Sequence, residues 1–228
     1  MTKKGNYMKK ENLTDEHLIF QDAAKAFFEK EMKPNNEQWE KDGMVSRELW
    51  LKAGEQVLLC CDIPEQYGGP GGDFLHIAIV IEELARVDAS GPAFHLHSGI
   101  VAPYVLHYGT EEQKQELLPK MCQGELISAV AMSEPGAGSD LAGIKTAAVR
   151  DGDEYKITGQ KTFISNGQLA DVIVTACKTD IEAGAKGISL ILLRRGDPGF
   201  DRGRNLEKVG WKAQDTSELF FDEVQIPA

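Results

Sequence analysis

The apolar residues of this chain change their spacing once, near Gly124, and that change limits the fold more than any other feature of the sequence. Before it they recur every three to four positions. Phe20, Ala23, Ala24, Phe27 and Met32 make one stripe that Pro34 stops. Leu49, Trp50, Ala53 and Val57 make a second behind a capping Ser46, and FLHIAIVIEELARVD a third behind Asp73. A fourth helix is expected from near Ser90 with Pro92 in its first turn. A fifth opens on Thr110 with Gln113 three residues on, the pattern of a capping box, and ends near Gly124. Beyond that point the period is two. KTAAVRDGDEYKITGQKTFISNG reads as two strands joined at Asp151-Gly152, with a second reversal at Thr158-Gly159. ADVIVTACK, GISLILLRR and SELFFDEVQIP add three strands with no helical window between them. The expected fold is α+β: a disordered tail over 1–11, an all-α N-terminal domain over 12–126, and an antiparallel β-barrel or sandwich-like middle domain over 127–228.

With 228 residues, 42% apolar and 27% charged, the chain has enough apolar material for two cores. Its formal charge of -11 argues against binding nucleic acid, which needs clustered Lys and Arg. A small anionic ligand stays compatible, because surface charges are screened over roughly 8 Å at physiological salt. Cys60, Cys61, Cys122 and Cys177 show neither a C-x-x-C pair nor a His at zinc spacing, so reduced, buried thiols are expected and no metal. The opening MTKKGNYMKKENLTDE has four Lys, no Arg and no apolar run behind them, unlike a signal or transit peptide. IAIVI and ISLILL are too short to cross a membrane, and a cytoplasmic location is expected.

Two clusters invite a ligand. AMSEPGAGSDLAG, residues 131–143, resembles phosphate loops without matching them: Ile144 stands where a P-loop needs Lys, and Leu141 takes the third glycine of G-x-G-x-x-G. Amides freed by glycines, with the Ser133 and Ser139 hydroxyls, can still donate to a flat heterocycle or a pyrophosphate, although an inter-domain turn has the same composition. In KTFISNG, Phe163 and Ser165 fall on one face of a strand, an aromatic plane beside a hydroxyl; a core Phe and a surface Ser are the plainer alternative. His95 and His97, two apart on a helix, point to different faces and argue against a metal. Glu82-Glu83 and Glu111-Glu112 are neighbours that do not face each other, and no G-x-S-x-G is present.

AMSEPGAGSDLAG, KTFISNG and the closing VGWKAQDTSELFFDEVQIPA together resemble the acyl-CoA dehydrogenases, and the helical half, above all SGPAFHLHSGI, is similar to the long-chain members. The resemblance runs from about residue 12 to the end. It implies FAD as cofactor and an acyl-CoA thioester as substrate, oxidised between its α and β carbons to a trans-2-enoyl-CoA with hydride passing to flavin N5. It also implies an electron-transfer flavoprotein as electron acceptor and a homotetramer for the full-length protein. By the same resemblance Val130, Ala131, Met132 and Ser133 contact the flavin, the last two at its pyrimidine end. Gly138 and Ser139 belong to the cofactor loop, and Ser139 also meets the CoA part of the substrate. Phe163 stacks on the isoalloxazine with Ile164 beside it, Ser165 approaches N5, and Ala93, Phe94 and His97 lie along the acyl channel. Many members carry Trp and Thr where this chain has Phe163 and Ser165, which keeps the chemical types. The family continues for a further helical third that supplies the catalytic glutamate. None of this chain's carboxylates matches that glutamate, and Glu134 resembles a structural position. Part of a site is therefore expected, with no catalytic base and weak FAD affinity in the isolated chain. The alternatives are an acyl-CoA oxidase or flavin monooxygenase of the same fold, or a non-catalytic binding or assembly domain.

Overall fold

The computed structural model describes residues 12–88 and 91–228; the expected tail over 1–11 and the expected helix start at Ser90 lie outside them. Each helix begins where its sequence satisfies the free amides of a first turn. At α1 (Asp15–Phe27) the Thr14 hydroxyl accepts the His17 N–H while His17 Nδ1 accepts that of Thr14, and the helix continues as a wider turn over Phe28–Met32. α2 (Asn36–Asp42) was not announced by apolar spacing, since only Trp39 of its seven residues is buried. Ser46 holds the cap position of α3 (Arg47–Glu55) with extended backbone, but its hydroxyl makes no cap bond. Asp73 caps α4 (Phe74–Arg86), accepting from the amides of Leu75 and His76. The next helical run comprises α5 (Phe94–Leu96), a wider turn over His97–Val101 and α6 (Ala102–Tyr108). Its cap is Ala93, so Pro92 precedes the helix instead of occupying its first turn. Thr110 and Gln113 form the expected box at α7 (Glu111–Cys122). Among the described residues no helix is long and apolar enough to cross a membrane.

The second half is one curled sheet of β1 (Ser128–Ala131), β2 (Ala147–Asp151), β3 (Glu154–Ser165), β4 (Val172–Lys178), β5 (Ile188–Arg194), β6 (Phe200–Asn205) and β7 (Thr216–Pro227). The order is β1-β4-β2-β3-β7-β6, with β5 on the other edge of β4. Four pairings are antiparallel, while β1 and β2 each pair parallel to β4. The parallel pairs arise because the chain leaves β1, makes the β2–β3 hairpin and returns alongside β1 before entering β4. The expected reversal at Thr158-Gly159 does not occur. β3 runs straight through with a register shift, because Gly159 at φ +152° lets it approach β2, where a Cβ would stand 2.5 Å from Thr146 Oγ1. β6 carries no alternating pattern and is defined by its pairing with β7.

The two halves share their cores. Ile127, Leu169 and Ala213 pack into the cluster of Phe28, Trp50 and Phe94, while Val172 and Val174 pack against Leu117, Leu118 and Met121. Arg47 of α3 reaches the carbonyls of Glu125 and Leu169 and the Asp171 carboxylate at 2.7 Å. His97, wholly buried, joins three elements. Its Nδ1 accepts from the Ser128 N–H at 3.2 Å, which fixes the other proton on Nε2, donated to the Met121 carbonyl at 3.1 Å; Trp50 packs edge-on at 5.3 Å. Burial pushes this imidazole down from 6.5 to about 4.

Its neutral form is thus required by the fold, and acid opposes it. Above pH 6.5 neither the folded nor the unfolded chain protonates the ring. Between 6.5 and 4 only the unfolded chain does, so this residue alone should remove roughly 3 kcal/mol of stability as pH falls across that window. Denaturant titrations at pH 7 and pH 4.5 will show this loss, and His97→Gln, which keeps one donor and one acceptor, will flatten it.

Candidate active site

β1 delivers the glycine-rich segment to the end of the sheet. Past Ala131 the chain passes through Met132 and Ser133 and closes a tight turn, Glu134 N–H to Ala137 O at 2.8 Å and the reverse at 3.1 Å, around Pro135-Gly136. Asp140 then accepts from Ala142 to cap a short turn that leads to β2. The segment is fastened by charge. Glu134 is 8% exposed and Lys161 1%, and they meet at 2.9 Å. The Glu134 carboxylate also accepts the amides of Lys145 at 2.6 Å and Thr146 at 3.0 Å, and Lys161 also donates to the Met132 carbonyl at 3.0 Å. Burial raises the Glu134 pKa, but the bonds from Thr146 and Lys161 outweigh it and hold the group below the usual value, so it is a fixed anion and not a proton acceptor.

KTFISNG sits directly against this segment: the Thr162 N–H donates to the Ser133 carbonyl at 3.0 Å. The two motifs are therefore one site. Between Lys161, opposite Leu219, and Ile164, opposite Ser217, β3 holds one residue more than its partner. The extra residue turns Phe163 into left-handed backbone at φ +60° and leaves its ring 70% exposed. A bulky residue in that region is strained, and such strain gathers where a ligand is held. Ser165, half-buried, follows on the same side, while Ile164 points into the sheet core.

The remaining expected residues divide by what they can offer. Ala131 is buried and Val130 half-buried, so each presents backbone only. Met132 and Ser133 are half-buried and Ser139 is exposed. Among the described residues the hydroxyls of Ser133, Ser139 and Ser165 have no hydrogen-bond partner. Gly136 and Gly138 are neither left-handed nor crowded, since a Cβ on either would meet nothing within 4 Å. A cavity of about 370 Å³ opens beside Gly136, lined also by Glu134, Lys145, Thr146 and Gln160. Ala93, Phe94 and His97 are placed otherwise than along an open channel: all three are wholly buried, Phe94 against Trp50 at 4.8 Å. The neighbouring residues Pro92 and His95 are the ones that face space, with Ile81, Leu84 and Trp211, around an apolar cavity of about 420 Å³. Helical spacing alone could have suggested this, because His95 lies two residues from His97 and hence on another face.

An isoalloxazine ring needs a flat apolar surface and donors at its polar edge. An exposed aromatic ring, free hydroxyls and a loop open to close backbone approach suit it, and these residues fit FAD. A helical half closed on a curled sheet, with these two motifs joined at the sheet end, is the architecture of the acyl-CoA dehydrogenases. Residues 14–125 match the acyl-CoA dehydrogenase N-terminal domain and residues 129–224 the acyl-CoA dehydrogenase middle domain, and the chain belongs to the acyl-CoA dehydrogenase family. It is 51% identical over 217 residues to the mitochondrial long-chain specific acyl-CoA dehydrogenase of Sus scrofa, covering 94% of this chain and 50% of that protein. An acyl-CoA dehydrogenase structure from Geobacillus kaustophilus superposes with a TM-score of 0.92 at 53% identity, over 95% of this chain and 58% of that one. A glutaryl-CoA dehydrogenase from Mycobacterium smegmatis in complex with FADH2 gives 0.89 at 30%, over 97% and 56%. The chain spans about half the length of the curated relatives it matches.

Lys161→Met will leave the Glu134 carboxylate buried with two amides and no counter-charge, and is expected to destabilise the chain by about 3 kcal/mol in urea titration. Adding Glu134→Gln, which removes the unpaired charge and keeps an acceptor for one of the two amides, should recover part of that loss.

Proposed function

We propose that this chain forms the flavin- and thioester-binding portion of an FAD-dependent acyl-CoA dehydrogenase that oxidises an acyl-CoA to its trans-2-enoyl-CoA. The observation that supports the reading most is the hydrogen-bonded junction of the two motifs, with Phe163 presented to solvent in strained backbone at that junction. FAD, when bound, supplies the hydride acceptor at its N5. The chain's own part is to hold and orient. Phe163 offers the stacking surface, and Ser165 a hydroxyl two residues along the same strand. Met132 and Ser133 offer backbone and hydroxyl to the polar edge, Val130 and Ala131 backbone contacts, and Gly138 and Ser139 the loop that meets the phosphate-bearing parts of cofactor and substrate.

Proton removal from the α-carbon needs a base, and Glu134 is unsuited to that role, because Lys161 and two amides hold it as a buried, fully bonded anion. The apolar cavity at Ile81, Leu84, Pro92, His95 and Trp211 is assigned to the acyl chain in place of the buried Ala93, Phe94 and His97. An electron-transfer flavoprotein as acceptor and a tetrameric full-length protein are proposed on the family pattern.

The test is spectroscopic. Titrating FAD into the purified chain should perturb the visible flavin band, with weak affinity. Phe163→Ala should weaken binding about 2- to 10-fold, the worth of one aromatic stacking contact, and Phe163→Trp should restore it. Acyl-CoA added without oxygen should leave the bound flavin unbleached. A folded chain that leaves saturating FAD unperturbed, or that binds it equally after Phe163→Ala and Ser133→Ala, contradicts the assignment.

A further inference from the structure

The start of α1 and the cap of α4 bring together three side chains that the flavin site does not use. His17 Nε2 lies 3.1 Å and His76 Nδ1 3.0 Å from the same oxygen, Oδ1 of Asp73. The two imidazole rings are 4.5 Å apart centre to centre, and one donor atom from each of the three residues falls within 4.8 Å of the others. The His17 side chain is 7% exposed and that of His76 12%, while Asp73 stands 57% in solvent. Two ligands are thus held by packing, and one side of the cluster stays open to water.

We propose that His17, Asp73 and His76 form a binding site for a divalent transition-metal ion of the zinc and cobalt class. Zinc takes imidazole nitrogen and carboxylate oxygen at about 2.0 to 2.2 Å, so neighbouring ligands of a tetrahedral site stand roughly 3.3 Å apart. The present spacings of 3.1 and 3.0 Å need to open by only a few tenths of an ångström. Loading the site exchanges two cap bonds for metal bonds. His17 Nδ1 gives up the Thr14 N–H and takes the proton moved from Nε2, which it can donate to the Thr14 hydroxyl 2.8 Å away, and His76 Nδ1 gives up the Asp73 N–H. Phe20 packs against His76 at 5.0 Å and limits its rotation. The positive end of α4 opposes a cation, but Asp73 already accepts the amides of Leu75 and His76 there and brings a full negative charge. The second oxygen of Asp73 has no partner among the described residues. The ligands lie 56 and 3 residues apart in sequence, which is why no spacing motif announces them.

Cobalt(II) makes the site visible. Titrated into tag-free, chelator-washed chain, one equivalent should develop visible d–d absorption without thiolate charge-transfer bands, and zinc should displace it. Asp73→Asn preserves a good helix cap, and His76→Asn removes a ligand at the rim of the cluster. Each should weaken binding about tenfold or more with unchanged circular dichroism. Absence of one-to-one binding overturns the proposal, leaving the cluster a pair of interlocked helix caps. Binding that both variants leave intact, or a thiolate band placing the ion on the cysteines, overturns it as well. None of these readouts involves flavin, so they stand or fall apart from the proposed function.

Discussion

The ion pair of Glu134 and Lys161 governs the geometry of the site. Both charges are taken out of water, and neither can stay there without partners, so the carboxylate gathers two amides and the ammonium, and the ammonium adds a carbonyl. Those bonds join the end of β1, the entry to β2 and the middle of β3 at one point. They also set a condition on β3. Lys161 must point inward to Glu134, and Ile164 inward to the sheet core, yet residues three apart in a regular strand face opposite sides. One inserted residue restores the parity, and the inserted turn is what sends the Phe163 ring out to solvent in left-handed backbone. The exposed ring is thus a consequence of two burial requirements on either side of it.

The helical half contributes rigidity through a junction that is itself a packed interior. His97 is tied to the end of α7 and the start of β1 by bonds that use both ring nitrogens, and Arg47 spans from α3 to the turn before β4. Apolar side chains from both halves fill two of the clusters, so movement of one half against the other would open a cavity in each. The cavity assigned to the acyl chain lies along the same junction, with walls from α4 on one side and from the loop carrying Trp211 on the other.

Much of this was legible in the sequence, and the failures have physical causes. The period change, the Thr110 box and the Asp73 cap were readable because each depends on neighbours within four residues. α2 and β6 were not, since α2 buries a single side chain and β6 owes its form to β7. Gly159 reads as a turn because a glycine signals freedom without saying what uses it; here the use is contact with Thr146, across the hairpin. The bulge at Phe163 was equally hidden, because the demand on Lys161 comes from Glu134 across the sheet. Ala93, Phe94 and His97 differ for another reason: the resemblance gives a role to a helix as a segment, whereas only one of its faces meets open space.

Glycines separate what the fold requires from what it permits. At Gly159 any side chain would strike Thr146, so the residue is explained by the chain itself. At Gly136 and Gly138 nothing in the chain occupies the room a side chain would take, and the backbone there has no left-handed angle to excuse it. Folding is indifferent to an alanine at either position, apart from the small gain in stability that a less flexible unfolded chain gives. Nothing in the polypeptide covers the backbone at these two residues, which leaves it open to close approach by the proposed ligand. The hydroxyls of Ser133 and Ser139, left without partners on either side of that stretch, are the groups such a ligand would meet.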